Sequence, residues 1–465
     1  MDFLRRKPLS QLMTEADGTG QGLSKALGAL DLVMLGIGAI IGTGIFVLTG
    51  VAAAKHAGPG LILSFVLSGL ACGFAALAYA EFSSSVPVAG SAYTYSYASL
   101  GELVAWIIGW DLVLEYALAA SAVAVGWSGY FVKLFEGFGV HFPAWAIAAP
   151  GAAPGGIINL PALLIILTIT VLLSIGIRET AKINNLMVLI KIAVVLLFIA
   201  VGIWHVKPAN WVPFLPFGFD GVINGAAIVF FAYIGFDAVS TAAEEVKNPQ
   251  RDLPIGIIGS LVVCTILYII VTSILTGIVP YTQLDTPAPV ALALQLINQN
   301  WVAGFVSAGA ITGITTVLLV MLYGQTRVFY AMSRDGLLPG IFSKVHPKFK
   351  TPFKTTWIVG VVSALMAAFV PLNELAEMVN IGTLSAFVLV SAAVIVMRRS
   401  NPDLPRAFRC PGVPYIPILA ILFCLTLMLQ LPAITWIRFV TWLIIGFAIY
   451  FLYGYRHSKM NEHQH

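Results

Sequence analysis

The chain is 465 residues long, 59% hydrophobic and only 10% charged, with a mean hydropathy of +0.93 and a formal net charge of +4. Soluble globular domains carry roughly 25% charged residues, so this composition excludes an ordinary soluble protein and describes a polytopic membrane protein. So small a net charge gives no ground for a nucleic-acid partner, and the four widely spaced cysteines, Cys72, Cys264, Cys410 and Cys424, read as packing residues.

A polar N-terminal segment, 1–28, precedes the first apolar run; no small-residue cleavage site follows that run, which therefore reads as a retained span. A hydrocarbon core of about 30 Å needs about 20 apolar residues in a helix. The pattern predicts an all-α membrane protein of twelve transmembrane helices, at about 30–54, 60–82, 102–131, 161–176, 183–204, 221–243, 254–279, 302–331, 356–371, 378–397, 415–431 and 435–453. The loops at about 132–160 and 280–301 are rich in Pro, Gly and Ala, and the second, with PAPVALALQLINQN, is apolar enough for a short helix on the outer surface. Neither makes a separate domain, so 29–455 reads as one transmembrane domain and 456–465 as a tail, its HQH a frayed end rather than a metal site.

Lys and Arg set the orientation. With the N-terminus inside, 20 of the 25 basic residues fall on the cytoplasmic side; Lys55, Lys133, Lys207 and Arg438 lie outside and Lys191 within a span. Both termini are therefore expected in the cytoplasm, and the chain is expected in the cell membrane.

Within the first span, GIGAIIGTGIF carries Gly36, Gly38, Gly42 and Gly44, although each glycine costs a helix interior roughly 1 kcal/mol. The break at Gly42–Gly44 comes about 20 Å along the span, in mid-membrane, where irregular backbone survives only against protein or a water-filled cavity. The sixth span has a matching interruption at Gly235 in VFFAYIGFDAV. Paired interruptions in corresponding spans point to a substrate site between inverted repeats. A half-helix that starts after a break aims N–H groups and its positive dipole end at an anion; one that ends before a break offers carbonyls to a cation. Side by side, two such breaks form a socket for a zwitterion. The competing explanation is close helix packing through the Gly38–Gly42 GxxxG spacing.

Ionisable residues at membrane depth are functional candidates. Lys191, in LMVLIKIAVVLL, reads as an amine that gains and loses a proton, the alternative being a structural ion pair. Asp111 and Glu115 share a helix face at i,i+4. Glu115, the deeper, is expected to trade a proton with Lys191 or fix its charge, while Asp111 is expected to be hydrated. Asp237 suits a helix N-cap and could also handle protons. The EEVKNPQRD and SRDG runs are expected to form loop-fixing ion pairs. Met321 reads as an apolar plug at pocket depth, ordinary packing being its equal competitor.

The stretches GIGAIIGTGIFVLTG, VPVAGSAYTYSY, GWDLVLEY, FFAYIGFDAVSTAAEEVKNPQRDLP and AMSRDGLLP together resemble the amino acid–polyamine–organocation superfamily, more narrowly the bacterial homologues of the mammalian cationic amino acid transporters. The resemblance implies the LeuT-like five-plus-five inverted repeat, with repeats at about 29–205 and 220–398, discontinuous first and sixth helices, and two extra C-terminal helices at about 414–454. It also implies that the substrate carboxylate meets the N–H groups of Thr43 and Gly44, and that the ammonium meets the carbonyls of Ile40, Phe231, Ala232 and Ile234. Phe231 would be an aromatic lid, and Lys191 would occupy the sodium position of related transporters, near first-span carbonyls and the eighth-span hydroxyls of Thr315 and Thr316.

The expected function is secondary active uptake of L-amino acids by alternating access, proton-coupled and favouring small neutral substrates such as alanine. The alternatives are a broad-specificity or cationic facilitator or exchanger without ion coupling and, from another class, a channel. No metal cluster, nucleophile elbow or phosphate-binding loop suggests an enzyme, and no cofactor is expected. A small membrane partner or sterol-like lipid on the outer face is left open.

Overall fold

The computed structural model describes residues 5–7, 27–85, 91–176, 181–349 and 351–461. Most of the 1–28 segment, the start of the VPVAG motif and the terminal HQH lie outside the described residues. Regular structure among the described residues is helical. In chain order the helices are α1 (Ala29–Ile40), α2 (Leu61–Ser85), α3 (Ser91–Ser99), α4 (Glu102–Glu136), α5 (Leu160–Ser174), α6 (Ala181–Gly202) and α7 (Gly218–Val229). They continue with α8 (Pro249–Ile278), α9 (Pro289–Leu296), α10 (Asn300–Arg334), α11 (Phe353–Phe369), α12 (Leu372–Ser400), α13 (Tyr415–Leu429) and α14 (Ala433–Ile449).

Proline marks many of the starts, because a first-turn residue needs no N–H partner. Pro249 and Pro289 open α8 and α9, and Pro352, Pro371 and Pro432 immediately precede α11, α12 and α14. Asn159 caps α5 by accepting from the Ala162 N–H at 3.2 Å.

Eight helical runs among the described residues are long and apolar enough to cross a membrane, and α1, α5, α11 and α13 are shorter apolar helices. One of the eight runs, Gly44–Ser85, has 42 residues, twice the length one crossing needs. It is interrupted at Gly58, whose φ of 58° and close contact with Pro216 exclude a side chain. The run therefore joins the end of the first expected span to the second. Several spans are longer than read from the sequence: α4 and α10 each extend to 35 residues, α8 to 30 and α12 to 29. The expected short helix in 280–301 is present as α9, but Pro289, Val290, Ala291, Ala293 and Leu294 are buried and Pro289 lies against Gly50, so it is wedged into the protein rather than laid upon it. All four cysteines are buried and unbridged.

The core is organised by long contacts between α4 and α10, α2 and α8, and α1 and α8. At one face, the two ends of the described chain converge. The Glu102 carboxylate at the start of α4 accepts from Arg5 Nε (3.0 Å) and Nη2 (2.9 Å), Tyr97 (2.8 Å), Tyr450 (2.9 Å) and Ser458 (2.5 Å), and it is fully buried. Asp335, at the end of α10, accepts from Lys7 Nζ at 3.1 Å and Tyr93 at 2.7 Å, while its carbonyl takes the Lys459 N–H. The SRDG run thus fixes the N-terminal segment and the tail. A third buried node joins Glu81 of α2 to Arg398 and Arg406, with the Cys410 N–H at 2.7 Å.

Removing one partner of a buried ion pair costs about 3–5 kcal/mol, whereas exposed pairs are worth at most about 1 kcal/mol. Glu102→Ala is accordingly expected to lower the thermal unfolding midpoint of the detergent-purified protein far more than Lys133→Ala, which breaks only the half-exposed pair with Glu136. Equal midpoints would show that the Glu102 node does not hold this face.

Candidate substrate site at two broken helices

Both breaks expected from the glycines are present. α1 ends at Ile40, Ile41 turns extended (φ −73°, ψ 104°), and helical winding resumes at Gly44 in a wide turn through Leu48. α7 ends at Val229, tightens through Phe230–Tyr233, opens at Ile234 (φ −62°, ψ 133°), and rewinds from Phe236 to Glu245 after Gly235 at φ 119°. The breaks touch one another. A Cβ on Gly44 would run into the backbone of Ala232, and one on Gly235 would stand 2.9 Å from the carbonyl carbon of Ala39. Glycine is required at both positions by contact, and at Gly235 also by its positive φ.

The structure gathers the expected substrate residues at this crossing. Ile40, Thr43, Gly44, Phe231, Ala232 and Ile234 are all buried. Gly42 faces Val317 of α10, and Met321, also buried, lies one turn further along that helix. The first N–H groups of a helical run have no partner inside it, so the run from Gly44 brings free donors to the same place as the last carbonyls of α1. α4 braces the second half of the first span: Thr43 Oγ1 donates to the Val123 carbonyl at 3.3 Å beside Gly126, and Tyr130 donates to the Phe46 carbonyl at 2.7 Å.

Sequence reasoning missed Tyr268. Its hydroxyl on α8 lies 2.9 Å from both the Ile40 and Ala232 carbonyls, two of the four expected to meet an ammonium. A phenol has one proton and cannot fully satisfy both, so the crossing is short of donors. Asn380 of α12 was missed as well. Its amide donates to the Ala227 and Ile228 carbonyls at 2.7 and 3.2 Å, just before α7 unwinds.

Lys191 is completely buried, and its ammonium donates to the Gly38 carbonyl of α1 at 2.5 Å while its stem lies on Gly313 of α10. Thr316 donates to the Gly313 carbonyl at 2.8 Å, beside that stem. Thr315 accepts from Trp127 at 3.0 Å and donates to the Ile311 carbonyl, so its hydroxyl braces α4 against α10. Glu115, expected to trade a proton with Lys191, faces Asp237, Asp111 and the Thr383 hydroxyl. Asp237, expected as an N-cap, is buried in the first turn of the rewound helix; the N-cap position is held by Gly235, and no side-chain cap hydrogen bond is made there. Asp111, expected to be hydrated, is instead 2% exposed, because α12 covers it at Gly382.

A groove of about 370 Å³, lined by Ile190, Val194, Leu197, Phe305, Gly309 and Thr312, runs between α6 and α10. That groove contains none of the residues of the crossing.

The sequence profile of the amino acid permeases matches residues 27–453. The chain is 62% identical to the branched-chain amino acid permease BcaP of Bacillus subtilis (strain 168), over 98% of this chain and 99% of that one. It is 56% identical to the methylthioribose transporter of the same organism, over 99% of each, and 31% identical to human cationic amino acid transporter 4, over 99% of this chain and 91% of that one. These relatives are named for transport and not for catalysis. With this similarity along its length, the chain belongs to the amino acid permeases of the amino acid–polyamine–organocation superfamily.

Proposed function

We propose that this permease is a secondary active, proton-coupled transporter of L-amino acids, working by alternating access and favouring small neutral substrates such as alanine. The observation that carries the reading is the contact between the two breaks, Gly44 on Ala232 and Gly235 on Ala39. The substrate carboxylate meets the N–H groups of Thr43 and Gly44, and the ammonium replaces the Tyr268 hydroxyl at the Ile40 and Ala232 carbonyls, joined by those of Phe231 and Ile234. Three ammonium donors supply what one phenol cannot. Phe231 closes over the substrate.

Two inverted repeats, about 29–205 and 220–398, with extra helices at 414–454, make up the twelve spans of this reading. In such a repeat, equivalent helices are five spans apart. The packing of α2 on α8 and of α4 on α10, second on seventh and third on eighth, is the pairing that symmetry generates. Both termini face the cytoplasm of a multi-pass cell-membrane protein, in keeping with the basic loops and with the meeting of Arg5 and Ser458 at Glu102.

Lys191 supplies the coupling. A coupling ion shifts a conformational equilibrium only through its different affinity for the two states. The ammonium ties α1 to α6 and α10 through the Gly38 carbonyl; loss of its proton weakens that tie and frees α1 to swing towards release. Glu115 and Asp237 hold further exchangeable protons. A second reading of the substrate, branched-chain amino acids, is favoured by the 62% identity to a permease named for them. The 56% identity to a methylthioribose transporter warns that side-chain preference changes within this degree of likeness. Facilitated exchange with a permanently charged Lys191 is the alternative mechanism.

In proteoliposomes with choline replacing all sodium, alanine is expected to accumulate only under an inward proton gradient, and Lys191→Ala is expected to abolish accumulation. Dependence on sodium, or an unaffected variant, refutes the coupling. Gly44→Leu should weaken alanine binding at least about tenfold in a thermal-shift titration, since its side chain would displace Ala232. Amino acid esters or plain amines competing as well as the zwitterion would refute the socket. Met321→Ser should admit longer or cationic substrates in competition uptake; an unchanged profile would remove Met321 from the pocket.

A further inference from the structure

Asp111 has no task in the site as described. It lies one turn before Glu115 on α4 and is 2% exposed, and its Oδ1 has no hydrogen-bond partner. α12 makes room for it at Gly382, where a Cβ would stand 2.8 Å from Oδ1. The ionisable groups around Asp111, Glu115 and Asp237 are one another, Cys72 and Tyr79 from α2 and Tyr116 from α4. From α12 come Gly382 and the Thr383 hydroxyl, and none of the described Lys, Arg or His side chains pairs with any of the three carboxyls.

Asp237 is buried in the first turn of the rewound helix, close to the backbone N–H groups of Gly235 and Ala238. The Thr383 hydroxyl lies beside Glu115 and is 3.0 Å from the Val379 carbonyl of its own helix. Asp111 has neither donor nor cation, and an isolated carboxylate in such a place would cost many kcal/mol. Along α4, Asp111 is about 13 Å from Glu102 at the termini-bearing face, with Glu115 about 6 Å deeper.

We propose that Asp111 is a third proton-binding residue of the transport cycle, protonated while it is covered as here and exchanging with water at the termini-bearing face when that face opens. On opening, the Asp111 O–H bond breaks and its proton passes to an entering water; the carboxylate is then reprotonated from Glu115, one turn deeper. Asp111 Oδ1 has no hydrogen-bond partner and Asp111 is one turn nearer the termini-bearing face than Glu115, which makes Asp111 the member that exchanges first.

The inference rests on the proton-coupled reading, and the test separates the two. In the proteoliposome assay the wild-type protein must first show gradient-driven alanine uptake; without it, the coupling reading itself fails. Given a coupled wild type, Asp111→Asn should lower the ratio of gradient-driven uptake to alanine counterflow at least about tenfold, and Asp111→Glu should restore it. A wild-type ratio in Asp111→Asn overturns the proposal, as does an equal loss in Asp111→Asn and Asp111→Glu, which would mark a purely structural role. Infrared difference spectra between acidic and alkaline pH give an independent reading that does not need the Asn variant to fold. A protonated-carboxyl band should move in Asp111→Glu relative to wild type; a spectrum unchanged by that substitution also overturns the proposal.

Discussion

Every backbone N–H and C=O inside a hydrocarbon layer must find a partner within the protein, at a cost of several kcal/mol for each that does not. An unbroken helix meets that demand by itself. Two broken ones cannot, and much of the interior of this permease is arranged around the carbonyls they release. Asn380 serves the Ala227 and Ile228 carbonyls at the end of α7, and Tyr130 serves Phe46 just after the first break. The central carbonyls, Ile40 and Ala232, share a single hydroxyl, so the crossing itself is left short of donors.

The same constraint decides how much can be read before any coordinates exist. A glycine inside an apolar helix is a visible cost, and a lysine a larger one, so Gly42, Gly44, Gly235 and Lys191 stand out of the sequence. The partners that make these costs tolerable do not. Tyr268 sits among Leu, Ile and Val and resembles any packing aromatic; only its placement opposite two released carbonyls gives it a role, and that placement depends on which helix neighbours which. Asn380 is hidden in the same way. Asp111 was misread for a related reason, because distance along a helix measures depth but says nothing of what covers a residue sideways. The covering group is Gly382, 271 positions away in the chain and without a side chain to announce itself.

Burial also separates the three carboxyls of the interior from those at the termini-bearing face. Glu102, Asp335 and Glu81 are likewise removed from water, yet each has an arginine or lysine and further donors around it. They are suited to remain charged and to hold elements together. Among the described residues, Asp111, Glu115 and Asp237 have no Lys, Arg or His partner. The two groups use the same two residue types, and the presence of a fixed cation separates them.

The node at Glu102 joins residues from opposite extremes of the chain: Arg5 precedes every helix, and Tyr450 and Ser458 follow almost all of them. During synthesis Arg5 waits while more than 440 further residues are made before Tyr450 can join it at Glu102, so this face closes only after the helices between them have been made. A nascent chain that has not yet reached Tyr450 and Ser458 leaves the Glu102 carboxylate short of two donors, and is weakest at the face that holds the finished permease together.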